Sequence, residues 1–538
     1  MLIFFSANFA YAQTQKNDLG DRTVDVVKDY KPKLADAVKI DVVPVPDVVE
    51  TKKPDIAYKT PAFIYNSAPY KVQLKAPTFT APNPQLYHNY AKLMFGNYSD
   101  INGEFFYNKL RNKKNLLALQ AKHHSGTGPV KDSRFSENLL DLYGKRIFSD
   151  HSITGNLGYQ RNANHFYAQL PDSAEIKKDT VKQRFNDIYF DTKFGNITAD
   201  SGKLTYNGGL GLYNFNDLYK TGETGFKIGV GGVEPFNGSR IHANATYQFW
   251  RYKTNTTINR GLFKLGAGYN FATNGFRADV GFNTASDAGF HFFPNANIEA
   301  DLIDKYLTVF GGITGNVQEN TFKNYAYENP FIRSDVQLRN TTEKLNLFGG
   351  AKGSFSNTST FSAGVAYKNY KYLPFYVNDS ADNRRFDVVY DSNTTVFNFH
   401  AEAGFSIMEN FILGAGLNYN AYNLSSLARA YYRPNLDAII TGKYNFANKV
   451  SIGADLFFAG TRYGANWNRD TTSKKIVIKE YNLGNIIDLN TNISYTFGNV
   501  KGLKAHLALK NILGTKYQLW NFYPSRGFQI TGGASYSF

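Results

Sequence analysis

The 538-residue chain contains no cysteine, which removes disulfides, thiolate metal sites and cysteine nucleophiles together. It has no run of about 20 apolar residues, so no segment reads as a transmembrane helix. Proline is thin over most of its length, because nine of the 17 prolines fall between Pro32 and Pro84; the remainder is free to form long strands. No Gly-x-Ser-x-Gly elbow, phosphate-cradling glycine loop or His-Glu-x-x-His helix is present. The histidines are scattered, and the one adjacent pair, His123 and His124, would point to opposite faces of a strand and could not share a metal. These absences argue against an enzyme and leave no cofactor site to name. A formal charge of +16 would suit nucleic acid, but Lys and Arg are spread along the chain with no compact basic helix or aromatic-basic cluster, so that reading is rejected.

What is present is alternation. In Asp488-Leu-Asn-Thr-Asn-Ile-Ser-Tyr-Thr-Phe497, Leu489, Ile493, Tyr495 and Phe497 share one parity and Asp488, Asn490, Asn492, Ser494 and Thr496 the other. Phe263, Leu265, Ala267, Tyr269 and Phe271 likewise oppose Lys264, Gly266, Gly268 and Asn270. The polar face is mostly Asn, Ser, Thr, Gln and Gly rather than charged, and the apolar face is rich in aromatics, as expected of a wall with lipid on one side and a wet lumen on the other. From Lys92 onward, 22 such segments run from 92–97 to 526–538. Their connections sort by length: 126–137, 162–183, 320–341, 372–393, 423–434, 462–484 and 512–525 fall on one side, and tight Asn/Gly/Asp turns such as 273–275 and 408–410 on the other. The fold class expected is therefore all-β, a transmembrane antiparallel barrel of about 22 strands over 91–538. The long loops face outward and both ends of the wall face the periplasm of a Gram-negative cell. Basic residues at its rims would meet outer-membrane lipid and lipopolysaccharide headgroups.

The C-terminal stretch carries a resemblance. Asn511-Ile-Leu-Gly-Thr-Lys-Tyr517 resembles the Asn-Leu-Phe-x-x-x-Tyr signature before the last strand of TonB-dependent receptors, and Tyr523-Pro-Ser-Arg-Gly527 is similar to their Pro-Gly-Arg turn, with Ser525 where glycine is usual. Asn511, Tyr517, Pro524 and Arg526 are the matching positions. Tyr536 and the terminal Phe538 are similar to the aromatic ending read by the barrel assembly machinery. The resemblance implies a 22-stranded receptor barrel that binds a nutrient and passes it through a gated lumen.

The N-terminal segment departs from that pattern. Ala10-Tyr11-Ala12 has the small-x-small form that precedes a signal-peptidase cut, so 1–12 is expected to be a signal peptide. The Pro-rich stretch 13–90 reads as an extended periplasmic or luminal arm, too short and too rich in proline for the family's folded plug. Within it Thr23, Val24, Asp25, Val26 and Val27 resemble a TonB box, which would pair with TonB as an added strand, or form a plain extended segment. The missing plug keeps a second reading open: a non-transporting structural or assembly subunit holding a lipoprotein or periplasmic partner. Two long loops, with Tyr370, Tyr372, Phe375 and Tyr376 in one and Trp467 in the other, are aromatic enough for sugar or protein ligands, or pack against neighbouring loops. Asp187 and Asp191 share a parity with Tyr189 and are expected to be solvated partners of luminal Lys and Arg rather than an acid–base pair.

Overall fold

A computed structural model describes residues 89–108, 114–128, 130, 133–168, 181–197, 202–469 and 476–538. The expected signal peptide 1–12 and residues 13–88 of the expected arm, with the TonB-box-like segment 23–27, lie outside them, while Asn89 and Tyr90 at the end of that stretch already belong to the first strand. The first strand, Asn89–Gly96, states the rule for all the others. Leu93 and Phe95 are 50% and 55% exposed, while Lys92 and Met94 of the other parity are 7% and 6% exposed: one face of the strand points away from the protein and is apolar, and the other, which carries the lysine, points in. Large exposed hydrophobics recur at every second position around the wall, including Ile188 and Phe190, Leu347, Val365 and Tyr367, and Phe397 and Phe399. In water such a surface would drive aggregation; in hydrocarbon it is the solvated face.

Twenty-two antiparallel strands form the closed wall. Each pairs with its neighbour in sequence, and the first strand closes the ring against the last, Gln529–Ser537, in a register running from Tyr90 opposite Ser537 to Gly96 opposite Thr531. Asn89 and Phe538 exchange backbone hydrogen bonds of 2.9 and 3.0 Å at the seam. Closing the ring leaves the wall no free edge strand, the condition hydrocarbon imposes on a sheet. No helix among the described residues is long and apolar enough to cross a membrane. This is the outer-membrane type of barrel, and its two-residue turns between wall strands lie at the end where the chain enters and leaves the wall. At one of them Asn237 and Gly238, with φ of 48° and 77°, sit in the left-handed conformations a two-residue hairpin needs.

The alternating segments and the wall strands correspond one to one, with a difference at 450–461 and 485–497. These continue as Val450–Arg469 and Ile476–Thr496, well past the wall. Register shifts at Ala459 to Arg462 and Arg462 to Tyr463 change which parity faces inward, so the period-two pattern breaks although the strands do not. Arg462, 3% exposed, turns in at the bulge and donates to the carbonyls of Gln518 and Leu519 at 2.6 and 3.3 Å.

Luminal polar groups satisfy one another from strand to strand. Asn398 donates to Asn418 and Asn420 at 2.7 and 2.9 Å, and Asn418 donates to Asp437 at 3.0 Å. Near the tight-turn end Arg277 holds Glu299 and Asp301 at 3.1 and 2.9 Å, and Lys352 reaches Glu299 at 2.5 Å. His123 and His124 do face opposite ways, one to Asn138 at 2.7 Å and the other to Asp100 at 3.1 Å.

Candidate functional site: the capped outer mouth

A wall of this size encloses a wide hole, since even 16 to 18 strands leave an aqueous channel. At the long-loop end the hole is crossed by protein. The connection 319–340 contains a short helix, Phe322–Glu328, begun by Thr321, whose hydroxyl accepts from Asn324 N at 3.1 Å, and ended at Asn329. The connection 372–393 folds into a hairpin of Leu373–Asn378 and Phe386–Asp391. These two join the loops after His165, Leu424 and Lys510 in one hydrophobic core whose fully buried large side chains include Phe215, Phe322, Ile332, Phe386 and Tyr431.

The contacts run across the mouth rather than around it. Phe331 of the helix loop stacks on Tyr523 of the last loop with centroids 3.6 Å apart, and Tyr167, from the loop after the fifth strand, meets the same Tyr523 edge-on at 4.8 Å. Phe386 lies against Trp520 at 5.3 Å, and Trp520 against Tyr432 at 5.0 Å. The backbone of the helix loop bonds to that of the hairpin, Arg333 N to Phe386 O at 2.9 Å and Phe386 N to Phe331 O at 3.0 Å. Asn378, fully buried, accepts from Tyr432 and Asn521 at 3.3 and 3.0 Å and so ties three loops at one side chain.

Charge follows the same plan. Arg333 grips both oxygens of Asp335 at 2.7 Å and reaches Asp387 and Asp379 of the hairpin at 3.2 and 3.4 Å. The hydrogen bonds from Arg333 hold the Asp335 carboxyl below the usual carboxylate range, and the same bonds raise the guanidinium. Burial pushes Glu328 the other way, upward, despite a 2.8 Å bond from Tyr376.

The helix is also anchored downward, to the wall. Glu223, 1% exposed, accepts from Phe322 N at 2.8 Å, Lys323 N at 3.3 Å and the Tyr213 hydroxyl at 2.7 Å. Lys323 Nζ lies 2.7 Å from Asp187 and 4.2 Å from the centroid of the Tyr213 ring. Asp187 is thus a partner of Lys323, as its luminal parity suggested, but it is 2% exposed and not solvated.

The aromatic loop residues singled out from sequence divide between the packed cap and its rim. Tyr370 donates to Glu343 at 3.0 Å, Phe375 is 1% exposed under the Arg433 guanidinium, and Tyr376 belongs to the cap core, with Trp467 half-buried against it. Tyr372, with φ of 60°, is partly exposed and lies 3.9 Å beneath Arg339. The C-terminal motif residues gather at the seam. Asn511 donates to the carbonyls of Thr515 and Arg526 at 2.9 Å each, Tyr517 donates to Asp488 at 2.7 Å, and Pro524 pairs with Gln518. Arg526 bonds Asp100 beside the first turn at 3.0 Å and lies over Phe135 at 4.4 Å. Tyr536 and Phe538 stack on the lipid face, 45% and 48% exposed. Sequence reasoning missed Glu223, Tyr213 and Lys323; the only signal was an acid at a luminal position of a Gly-rich strand.

No family profile and no curated protein matches the chain. Solved structures do. The ferric enterobactin receptor of Pseudomonas aeruginosa superposes with a TM-score of 0.64 at 10% identity, over 84% of this chain and 81% of that one. The siderophore receptor PirA from Acinetobacter baumannii gives 0.64 at 10%, over 84% and 80%. The ferric-catecholate import receptor Fiu of E. coli gives 0.63 at 9%, over 85% and 82%. At such identities the likeness is one of fold.

Proposed function

We propose that this barrel, walled like the TonB-dependent siderophore receptors it superposes on, binds a nutrient at its outer face and passes it through a lumen that its own outer loops hold shut. The observation that carries this reading is the cap, where Tyr167, Phe331 and Tyr523 meet across the mouth. A core of buried aromatic rings excludes water, so opening requires the loops to move, and a ligand that binds the open arrangement better shifts that balance. In this scheme Thr23 to Val27 would connect the protein to TonB.

Planar-bilayer conductance tests it. The unmodified chain is expected to be silent, and removal of 322–336 is expected to give a steady current. Removing 13–86, which spares the first strand, is expected to leave it silent because the loops are the seal. A large resting current in the unmodified chain would overturn the reading. The non-transporting structural or assembly subunit is favoured by one observation, the Arg333 cluster that locks the helix loop to the hairpin. Capture of a stable lipoprotein or periplasmic partner, with no TonB-dependent ligand uptake, would decide for it.

A further inference from the structure

The contact between Lys323 and the wall has the form of a ligand site filled from within. Its floor is Asp187, and its sides are the ring of Tyr213 at 4.2 Å and that of Tyr189 at 5.5 Å from the ammonium. Tyr327 donates to the same Asp187 oxygen, Oδ2, that Lys323 holds, at 2.9 Å. The second oxygen, Oδ1, is buried and has no hydrogen-bond partner. A carboxylate on an aromatic-walled floor is a cation site, and this one is served at one oxygen only. An ammonium is a point charge, whereas a guanidinium is a planar fork that engages both oxygens of a carboxylate and stacks on a tyrosine face.

We propose that the box formed by Asp187, Tyr189 and Tyr213 recognises a guanidinium group on the ligand, and that Lys323 is the internal stand-in that keeps the cap helix down until such a ligand displaces it. The proposal deepens the receptor reading and rests on it. Lys323 retains 21% side-chain exposure, so the box opens on one side to an incoming group. Displacement would free one of the helix's three anchors to the wall, leaving the bonds to Glu223 and the one from Tyr327 to Asp187.

The test is equilibrium binding to the full chain in detergent micelles, with Lys323→Ala emptying the box and methylguanidinium as the probe. Folding is checked by the anomalous migration of an unboiled barrel on a denaturing gel. Lys323→Ala is expected to bind methylguanidinium at least tenfold more tightly than the unmodified chain does, and at least tenfold more tightly than it binds methylammonium. Asp187→Asn added to Lys323→Ala is expected to abolish the gain. Equal affinity for the two cations, or indifference to Asp187→Asn, would overturn the proposal. If Lys323→Ala does not fold, Lys323→Met keeps the stem and empties only the charge. In the unmodified chain, methylguanidinium should speed hydrogen exchange of the 322–328 amides, and unchanged exchange at saturating probe would count against it. Conductance is not read, so failure here leaves the shut-lumen reading standing, whereas a leaky unmodified chain would sink that reading and, with it, the latch role given to Lys323.

Discussion

Phe386→Ala isolates the cap from the wall. The ring is fully buried among Trp520, Tyr523 and Tyr432, with centroids 5.3, 6.1 and 5.7 Å away, and no lipid-facing strand contributes to that contact. A phenylalanine buries roughly 150 Å² or more, which at about 25 cal/mol per Å² is worth about 4 kcal/mol. Measured truncations of buried phenylalanine lie in the same range, about 3–5 kcal/mol. If the whole loss falls on the equilibrium between closed and open cap, the open fraction rises roughly a hundred- to several-thousand-fold, at a factor of ten per about 1.4 kcal/mol. Single-channel recording should then show brief openings where the unmodified protein shows none, and amides of 322–336 and 373–391 should exchange faster by a similar factor. The wall, held by its own ladder, should keep its heat-induced gel shift within a few degrees. An unchanged open fraction and unchanged loop exchange in a correctly inserted Phe386→Ala would refute the claim that this core closes the mouth.

Arg526→Ala should lower the temperature at which the barrel loses its folded gel migration, because a charge-assisted bond to Asp100 is worth about 1.5–3 kcal/mol. Arg526→Lys should recover only part of this, since the stacking on Phe135 is lost, and full recovery would contradict the seam geometry. The Asp335 carboxyl is depressed in the folded protein, so its stabilisation is present above the ordinary value of 3.8 and is lost as pH falls through the lower folded value. Open probability should accordingly climb in that acid limb, and Arg333→Gln should remove the limb; no rise on acidification of the unmodified chain would count against it. Leu157→Arg, on the lipid face at 50% exposure, should cost about 2–4 kcal/mol in urea unfolding from vesicles if it sits near the midplane. Asn156→Arg, on the luminal side, should cost far less, and equal losses would mean the two faces had been exchanged.

The wall was legible in the sequence because a medium of hydrocarbon outside and water within imposes a period of two on every strand, as in Leu489, Ile493 and Tyr495 or Leu265, Ala267 and Tyr269. The same physics made the loop lengths readable. It failed at Arg462, where a bulge turns a charged side chain inward and breaks the alternation while the strand continues. The cap was hidden for a different reason. Its core is assembled from side chains in separate connections, Phe166, Phe322, Phe386, Tyr432 and Trp520, and a seven-residue helix or a six-residue hairpin strand carries too few positions to show a period. Aromatic density in 372–393 pointed to contact surface, and sequence alone left open whether those rings met a ligand or one another. Pairings such as Lys323 with Asp187 depend on how far a loop reaches back over the wall, which no local pattern encodes.

The first and last strands hydrogen-bond to each other, from Tyr90 with Ser537 to Gly96 with Thr531. A ribosome makes Tyr90 long before Ser537, so until the wall's last strand is made the first strand's outer edge has no mate. The cylinder cannot exist as a cotranslational intermediate: a product one strand short exposes two unsaturated edges, each a template for aggregation. Such a chain has to be shielded until the closing strand arrives, and that strand decides whether the wall before it was worth making.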